Sequence, residues 1–436
     1  KLALTTTTAG LFISGTALAA DEQAEVTKVN KNVEKIAVVG TRSAPRSIGD
    51  SPVPIDIIGG EELGKSGNTD MLELLKGSIP SLNVHSMPIS DAASLVRPAN
   101  LRGLPSDSTL ILLNGKRRHR ASVIAFLGGG INDGAQGADI SVIPSIALKQ
   151  VEVLRDGAAA QYGSDAIAGV INFVLKDASE GGSFEVRQGQ YYEGDGDTTQ
   201  ISGNIGLPFT DNGFANLSFQ YKTADATSRS VQRFDAANLI EAGVPDIAPI
   251  TQIWGAPEVD DDISIFGNVG LELTKNSEFY MFGNYSERDV RGGFYYRNPH
   301  TRPGVYSNDG GETLLVGDLT GDMSGNCPTN IMIDDNVLDN PVYINQVANN
   351  PDCFAFNEML PGGFTPNFGG NITDTSLTIG TKGEFTGGML EGAYYDLSGT
   401  VGFNESRYFI YDTINASLGP DSPRDFSPGK YSQLEK

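Results

Sequence analysis

The sequence is poor in several residue types, and each shortage excludes a class of protein. Only 2 of the 436 residues are Cys, which excludes a small scaffold held together by many disulfides. There are 3 His and 1 Trp, and no signature of a serine hydrolase, a zinc protease or a P-loop protein. No apolar run reaches the length of about 18 residues that a transmembrane helix needs. Lys and Arg number 31 against 54 Asp and Glu, and a net charge of -23 argues against a nucleic-acid-binding protein.

The residues that are present divide the chain near Lys176. Residues 1–176 carry 17 basic and 17 acidic side chains, whereas residues 177–436 carry 14 basic and 37 acidic ones. Of the 36 aromatic residues, 32 follow Lys176. The chain therefore consists of two differently built regions, a neutral one with few aromatic residues and an acidic one that is rich in them.

Apolar and polar side chains alternate along several segments of the acidic region. Over residues 215–222 the odd positions are Ala, Leu, Phe and Tyr, and the even positions are Asn, Ser, Gln and Lys. A period of two places each set on one face of a strand. The segments predicted as strands on this pattern are 184–192, 201–207, 214–222, 263–273, 279–285, 377–385, 395–404 and 407–416. A length of about 10 residues is what a tilted strand needs to cross a bilayer.

Alternation of this kind also occurs in soluble β-sandwiches, so two further features of the region matter. Aromatic residues cluster at predicted strand ends, as at Tyr191-Tyr192 and Tyr394-Tyr395. Tight connections such as 208–213 occur beside very long, polar ones such as 286–374. Both features are typical of outer-membrane barrels, which have aromatic girdles, short turns on one side and long loops on the other. The sequence therefore favours an antiparallel transmembrane β-barrel over residues 177–436.

The first residues have the pattern of an exported protein. The stretch 11–20 is apolar and ends in Ala-Leu-Ala-Ala, and acidic residues follow it directly. This is the pattern of a signal peptide and its cleavage site. We interpret residues 1–20 as a signal-peptide remnant and residues 21–32 as a periplasmic linker.

Export places the two cysteines in an oxidising compartment. Cys327 and Cys353 lie 26 positions apart in a polar segment, and we predict that a disulfide between them closes one loop. A metal site is disfavoured because no His or third Cys lies nearby. Asp318, Asp322 and Asn326 lack the tight spacing of a calcium-binding loop.

Residues 33–176 are predicted to form a compact α+β domain, and they contain four recognisable motifs. These are EKIAVVGTR at 34–42, NLRGL at 100–104, LILLNGKR at 110–117 and VEVLRDGAAAQYGSDAIAGVINFVLK at 151–176. The four motifs resemble the energy-coupling segment and the plug-domain motifs of the TonB-dependent outer-membrane receptors. In residues 33–176 the resemblance rests on specific motifs. In residues 177–436 it rests only on the general pattern of strands and loops.

The resemblance implies both a fold and a function. The expected fold is an α+β plug domain followed by an antiparallel transmembrane β-barrel. A barrel that holds a plug needs about 22 strands; the sequence supplies about eight, so we expect the front part of a longer receptor in the outer membrane of a Gram-negative cell. The expected function is ligand-gated, energy-coupled uptake of a scarce nutrient, an iron–siderophore complex or another large solute, without a cofactor and without enzymatic activity.

Alternatives to this function stay open at this point. A passive porin or an adhesin would lack the plug and the coupling segment, and a barrel enzyme, which is less favoured, would need a catalytic set on its strands. Within the receptor interpretation the ligand is open among siderophore, haem, cobalamin, oligosaccharide and peptide.

The energy-coupling function is assigned to residues near the start of the plug. Glu34, Ile36, Ala37, Val38 and Val39 form a short, β-prone and largely apolar segment. Such a segment can pair edge to edge with a strand of a periplasmic TonB-type energy transducer. The alternative is a first plug strand that never leaves the domain.

Two further groups of plug residues are predicted to have a role. Arg102, Glu152 and Arg155 are expected to seat the plug through charge-assisted contacts, with ligand contact as the alternative. The basic run Arg117, Arg118, His119 and Arg120 is the candidate ligand-facing group because it could attract an anionic ligand. A basic run is more often a solvated or barrel-facing surface, and that alternative stays open.

Overall fold

The computed structural model describes residues 5–8, 36–37, 46–47, 55–65, 67–85, 87–126, 130–333 and 342–436. Most of the predicted signal peptide and the whole predicted linker lie outside these ranges. Of the predicted coupling segment only Ile36 and Ala37 are described; Glu34, Val38 and Val39 lie outside. None of the helices within these ranges is long and apolar enough to span a membrane.

The first region folds around a five-stranded mixed sheet. Its strands are β4 (Ile55–Gly59), β7 (Thr109–Leu113), β8 (Lys116–Arg117), β9 (Leu148–Leu154) and β10 (Gly169–Leu175), in the order β4-β9-β10-β7-β8. Only the β7–β10 pair is parallel. The shorter strands are β1 (Thr5–Thr8), β2 (Ile36–Ala37), β3 (Arg46–Ser47), β5 (Leu82–Val84) and β6 (Ala99–Leu101), with β2 paired to β3 and β5 to β6.

Short helices pack against this sheet: α1 (Gly60–Gly64), α2 (Met71–Ser78) and α3 (Ala159–Tyr162). The N-cap residue of α2 is Asp70. The Asp70 Oδ1 atom accepts a hydrogen bond of 3.1 Å from the Glu73 amide, which satisfies a free N–H group of the first turn. The apolar side of α2 is buried against the sheet, whose central strands β9 and β10 bury apolar side chains on both faces.

A tight turn joins β7 and β8, as the Asn-Gly pair predicts. Asn114 and Gly115 have φ angles of 48° and 78°, the left-handed conformation that both central residues of a type I′ turn require. The turn reverses the chain into β8 at the edge of the plug sheet, and residues 118–122, which follow β8, contact the wall.

The second region is one antiparallel sheet whose long strands follow each other in chain order. They are β11 (Gly182–Gln190), β12 (Thr198–Pro208), β13 (Gly213–Ala224), β14 (Glu258–Thr274), β15 (Ser277–Gly293), β18 (Asn367–Glu384), β19 (Tyr394–Tyr411) and β20 (Phe426–Glu435). The short strand β1 pairs with the free edge of β11. We call this eight-stranded sheet the wall.

The strand predictions need two corrections in the last part of the wall. Segments 395–404 and 407–416 were predicted as two strands, but they belong largely to one strand of 18 residues, β19. The strand β20 was not predicted, because its sequence FSPGKYSQLE contains Pro and Gly and alternates poorly. Pairing with β19 overrides that weak local preference.

The two faces of the wall differ in the way that a membrane requires. On β14 the buried positions include Asp262, Ser264 and Asn268, whereas Ile263 and Ile265 point to the other side. The same arrangement holds on β13, where Leu217 and Phe219 are exposed. A soluble sandwich buries its apolar face, so an exposed apolar face and a buried polar face identify a barrel wall. This confirms the membrane-barrel interpretation over the sandwich.

The connections between wall strands are short at one end and long at the other. The long connections 225–257 and 294–366 contain the helices α4 (Phe234–Glu241) and α5 (Val342–Ala348) and the paired strands β16 (Gly317–Asp318) and β17 (Cys353–Phe354). A disulfide joins Cys327 and Cys353, whose Cα atoms are 5.5 Å apart. It borders a small apolar cluster that includes Leu314 and Ile331. The longest connection is therefore a folded unit with its own core.

We expect the disulfide to be needed for the order of this connection. Replacing both Cys327 and Cys353 by Ser should cost roughly 3 kcal/mol of its local stability, because the cross-link limits the freedom of the opened loop. Limited proteolysis on intact cells should then cut residues 294–366 faster while the wall stays resistant. An unchanged cleavage rate would contradict this role.

The orientation of the wall gives a second prediction. Leu217→Arg places a charge on the lipid-facing side and should destabilise the folded receptor by about 2–4 kcal/mol if the position lies near the membrane midplane. Leu418→Arg is the matched control, since Leu418 is similarly exposed but lies in the connection 412–425 (46% against 49% exposed). Urea titration of the full-length protein in lipid vesicles measures both. Equal effects of the two substitutions would argue against a lipid-facing β13.

Candidate functional site

The plug packs against the polar face of the wall, and this interface is the candidate functional site. Two apolar contacts contribute to it. Phe266, Tyr280 and Phe282 of the wall join the core of the plug. In the second contact, Leu95, Val96, Ala121 and Val123 of the plug pack with Val290, Ile372 and Tyr408 of the wall. The rest of the interface described below is polar.

One plug segment carries most of the polar contacts with the wall. We call residues 114–122, which begin at the turn after β7, the anchor segment. The contacts at its two ends and on its exposed side are Asn114 Nδ2 to Asn268 Oδ1 at 3.2 Å, Lys116 Nζ to Asp396 Oδ2 at 2.8 Å, Arg120 Nε to Glu435 Oε1 at 2.6 Å, and Ser122 Oγ to Ser406 Oγ at 2.9 Å. Together they reach the strands β14, β19 and β20, so the segment crosses much of the wall.

The Asp374 carboxylate on β18 lies at the centre of the anchor contacts. It pairs with the Arg118 guanidinium, and its Oδ2 atom lies 2.8 Å from His119 Nε2. Asn284 and Asn404 each donate a side-chain hydrogen bond to it, at 2.9 and 3.0 Å. All five side chains are buried. A charge so far from water is tolerated because several donors surround it.

A glycine of the wall makes room for this cluster. Gly402 on β19 lies beneath the imidazole of His119, and any side chain at this position would collide with the ring. The wall therefore fits the anchor segment in two ways: the Asp374 carboxylate matches its charge, and Gly402 leaves space for its imidazole ring.

A second buried ion pair joins the plug to the wall nearer its outer end. Arg288 Nη2 on β15 lies 2.8 Å from Asp139 Oδ2 of the plug and donates a 3.0 Å hydrogen bond to the Leu95 carbonyl oxygen. Burial raises the pKa of Asp139 above its ordinary value, although the Arg288 charge acts in the opposite direction.

At the other edge of the wall an arginine binds backbone atoms of the plug. Arg187 on β11 donates to the carbonyl oxygens of Gly64, at 2.7 Å, and Asn68, at 3.2 Å. Gly64 is the last residue of α1, whose free carbonyl groups favour a cation. Nearby, Asp70 pairs with Arg97 at 2.6 Å. Burial acts to raise the pKa of Asp70, but the charges of Arg97 and Lys222 and the hydrogen bond from the Glu73 amide together outweigh it, and the pKa lies well below its ordinary value.

The residues predicted to seat the plug have their ion pairs elsewhere. Arg102 lies 3.9 Å from Asp156, and Arg155 lies 2.5 Å from Asp56, so both partners belong to the plug. Glu152 is fully buried in the plug sheet and accepts a 3.1 Å hydrogen bond from Asn172. The seating role of these three residues stays a prediction, and the contacts that join plug and wall come from other side chains.

The basic run that we considered as ligand-facing mostly faces the wall. Arg118 and His119 are 5% and 3% exposed and contact Asp374, as the barrel-facing alternative predicts for these two, and ligand contact by the run stays a prediction. Arg120 pairs with Glu435 of the wall, and Arg117 pairs with Asp165 of the plug. Sequence reasoning missed their acidic partners. The available signal was a lone acidic residue at a polar, inward position of a wall strand.

We expect Asp374 to dominate the strength of plug seating. Asp374→Asn leaves the Arg118 guanidinium buried without a carboxylate and should weaken seating by about 3 kcal/mol or more. Asp156→Asn is the matched control; it breaks only the exposed pair with Arg102 and should cost less than about 1 kcal/mol. Planar-bilayer conductance of the full-length protein during urea titration reports plug release. If both variants release the plug at the same urea concentration, Asp374 is not the main seat.

Comparison with known proteins agrees with this geometry. The family model of the TonB-dependent receptor plug domain matches residues 47–170. The chain is 27% identical over 292 residues to the rhizobactin receptor of Rhizobium meliloti, which covers 65% of this chain and 34% of that protein. It is 28% identical over 169 residues to a ferric enterobactin receptor of Pseudomonas aeruginosa, with 38% and 22% covered. A vitamin B12 transporter of Photobacterium profundum is 26% identical over 211 residues, with 48% and 32% covered.

Solved structures show the same fold. A crystal structure of a variant of the ferric enterobactin receptor of Pseudomonas aeruginosa matches with a TM-score of 0.50 at 17% identity, covering 89% of this chain and 45% of that one. The chain thus matches about a third or less of the length of the curated relatives named above. Each of these relatives is named as a receptor or a transporter. Residues 47–170 thus form a plug domain of the TonB-dependent receptor type, and this plug is seated on a polar-faced wall of eight long strands.

Proposed function

We propose that the protein takes up a scarce nutrient across the outer membrane by ligand-gated, energy-coupled transport. The observation that carries this proposal is the interface between plug and wall. The plug has its own buried apolar core, and much of its contact with the wall is made by hydrogen bonds and ion pairs.

A polar interface suits a plug that must move and return. Hydrogen bonds broken at the interface can be replaced by bonds to water, so their net loss is about 1 kcal/mol each. The apolar core of the plug has no such replacement, because exposure to water costs about 25 cal/mol for each Å². Force applied to the plug therefore meets less resistance at the wall than within the plug core.

The energy has to come from outside the membrane that holds the protein. We propose a periplasmic TonB-type energy transducer as the partner, which a plug domain of the TonB-dependent receptor type implies. The segment around Ile36 and Ala37, which form the short strand β2, is the proposed contact. An extended segment of this kind can add to the edge of a partner strand, and the pull is then carried by main-chain hydrogen bonds.

For the transported solute we propose an iron–siderophore complex. Support comes from the named relatives, which include receptors for rhizobactin and ferric enterobactin, although a vitamin B12 transporter also matches. The turn Asp91–Ser94 of the plug lies beside β18 near its outer end, under the long connections. We propose this apex and these connections as the ligand-binding surface.

The coupling role is tested by Ile36→Pro in the full-length gene product. Proline removes a main-chain donor and should abolish pairing with the transducer and reduce uptake of radiolabelled ferric enterobactin to the level of cells without the energy-transducing complex. Ile36→Val is the control and should transport normally, because it keeps the backbone donor and β-branching.

Each result of this experiment has a distinct meaning. Wild-type uptake with Ile36→Pro would show that the coupling segment lies elsewhere, with residues 21–32 as the next candidate. Uptake by the unsubstituted receptor that does not depend on the energy-transducing complex would overturn energy coupling itself. Free conductance of the unsubstituted receptor in liposomes would favour a passive porin.

A further inference from the structure

Three short connections of the wall lie at the same end of the sheet, opposite the long ones. They are residues 209–212 between β12 and β13, 275–276 between β14 and β15, and 385–393 between β18 and β19. In outer-membrane barrels the short connections face the periplasm. We call residues 386–391, which contain Met389 and Leu390, the Met-Leu turn.

The exposed apolar side of the wall continues down to this end of the sheet. Along β18 and β19 its members include Leu377, Ile379 and Leu397. The same alternation places Phe385 and Tyr395 on this side, and their rings pack with centroids 5.0 Å apart. Aromatic residues at such positions mark the edge of the apolar region of a membrane barrel. The membrane boundary therefore lies close to Phe385 and Tyr395.

The Met-Leu turn begins directly beyond this boundary. The Phe385 amide donates to the Ala393 carbonyl oxygen at 3.0 Å, and the Gly392 amide donates to the Phe385 carbonyl oxygen at 2.9 Å. The pairing of β18 with β19 thus continues to the base of the turn. Gly392 has a φ of 80°, the left-handed conformation that favours glycine, so the chain bends sharply there. Met389 and Leu390 are consequently held close to the boundary.

The residues beyond the boundary differ among the three short connections. They are polar in two of them, with the sequences TDN at 210–212 and KN at 275–276. In the third, Met389 is fully exposed and Leu390 is 55% exposed. Polar turns are stable in water, whereas removing apolar side chains from water is favourable when an apolar phase lies nearby. The Met-Leu turn therefore differs from its neighbours in the surroundings that suit it.

We infer that the Met-Leu turn lies in the inner leaflet of the membrane, with Met389 and Leu390 inserted beside the lipid acyl chains. The turn is continuous with the lipid-facing pair Phe385 and Tyr395, and Glu391 is its one charged residue. A six-residue connection reaches about 10 Å from its base. Interfacial apolar side chains insert about 5–10 Å into the leaflet, so the turn can fold back onto the lipid.

Insertion of this turn acts on the part of the wall that holds the plug. The Met-Leu turn joins β18 and β19, and these strands carry Asp374, Asp396 and Ser406, which contact the anchor segment. Lipid contact at the turn therefore holds in the membrane the hairpin on which the plug is seated. The inference concerns the wall alone and depends neither on the transported solute nor on energy coupling.

Lys275 provides a matched control site. Its turn is adjacent to the Met-Leu turn, since the Glu384 amide donates to the Asn276 carbonyl oxygen at 2.9 Å. Lys275 and Met389 are both exposed. Met389→Cys and Lys275→Cys are made in the full-length receptor and labelled with the same fluorophore, NBD. The disulfide occupies both native cysteines of this chain, and any further free cysteine of the full-length receptor is replaced by Ser.

The first measurement compares the depths of the two turns. In vesicles of phosphatidylethanolamine and phosphatidylglycerol, lipids with a nitroxide on the acyl chain should quench Met389→Cys at least about twofold more than Lys275→Cys. Iodide on both sides of the membrane should quench Lys275→Cys more. Equal quenching of the two sites by each agent would overturn the inference. Protection of Met389→Cys from both agents would show that protein covers the turn and would overturn it too.

The second measurement shows whether the apolar pair, and not the fluorophore, holds the turn in the leaflet. Adding Leu390→Asp to labelled Met389→Cys should reduce nitroxide quenching to the level of Lys275→Cys, because a buried charge is costly. Leu390→Ile is the control and should keep the quenching. Unchanged quenching with Leu390→Asp would overturn the role of the pair. Heat modifiability on gels should match that of the unsubstituted receptor, because the turn lies outside the strands.

Discussion

The arrangement of plug and wall depends on one buried carboxylate, that of Asp374. It lies on the inner face of β18, out of contact with water, and is neutralised only by groups that the plug brings to it, Arg118 and His119, with amides of the wall on its other side. A buried charge of this kind is costly without its partner, and the same holds for the guanidinium of Arg118. Each part of the protein therefore stabilises a group that the other part could not bury alone. The buried ion pair therefore sets the position of the plug on the wall without requiring an extensive apolar interface between them.

One face of the wall contacts lipid and the other contacts the plug, and this explains the amino-acid composition of its strands. Lipid requires apolar side chains on one face, and a movable plug requires polar side chains on the other, so strands such as β13 and β14 alternate in the sense opposite to that of a soluble sheet. The polar face is then used in two ways. Where the anchor segment lies on it, direct hydrogen bonds hold the plug. On β11, Arg187 instead binds carbonyl oxygens of the plug backbone.

Much of the fold could be read from the sequence because its signals are local. The period of two along residues 215–222 predicts β13 and its two faces, the Asn114-Gly115 pair predicts the turn before the anchor segment, and the two cysteines are joined as their spacing and compartment suggest. Local sequence patterns do not predict a strand when its formation depends on pairing with a neighbouring strand. The strand β20 has a poor β pattern and forms because β19 offers it a partner, and β19 itself continues through what looked like two strands.

By itself the sequence determined the contrast between the two regions, the resemblance to a receptor family and the two faces of the strands, because composition, motifs and alternation depend on residues close together in the chain. Only the tertiary structure decided which charges meet. The run 117–120 looks in sequence like a basic surface suited to an anion, but Arg118, His119 and Arg120 pair with Asp374 and Glu435, which lie more than two hundred residues away. Likewise Gln200 and Asn404 look alike in sequence, as polar residues at inward positions. Among the described residues the Gln200 Oε1 atom has no hydrogen-bond partner, whereas Asn404 accepts a hydrogen bond from Ser122 of the anchor segment, a contact that forms only when the plug docks on the wall.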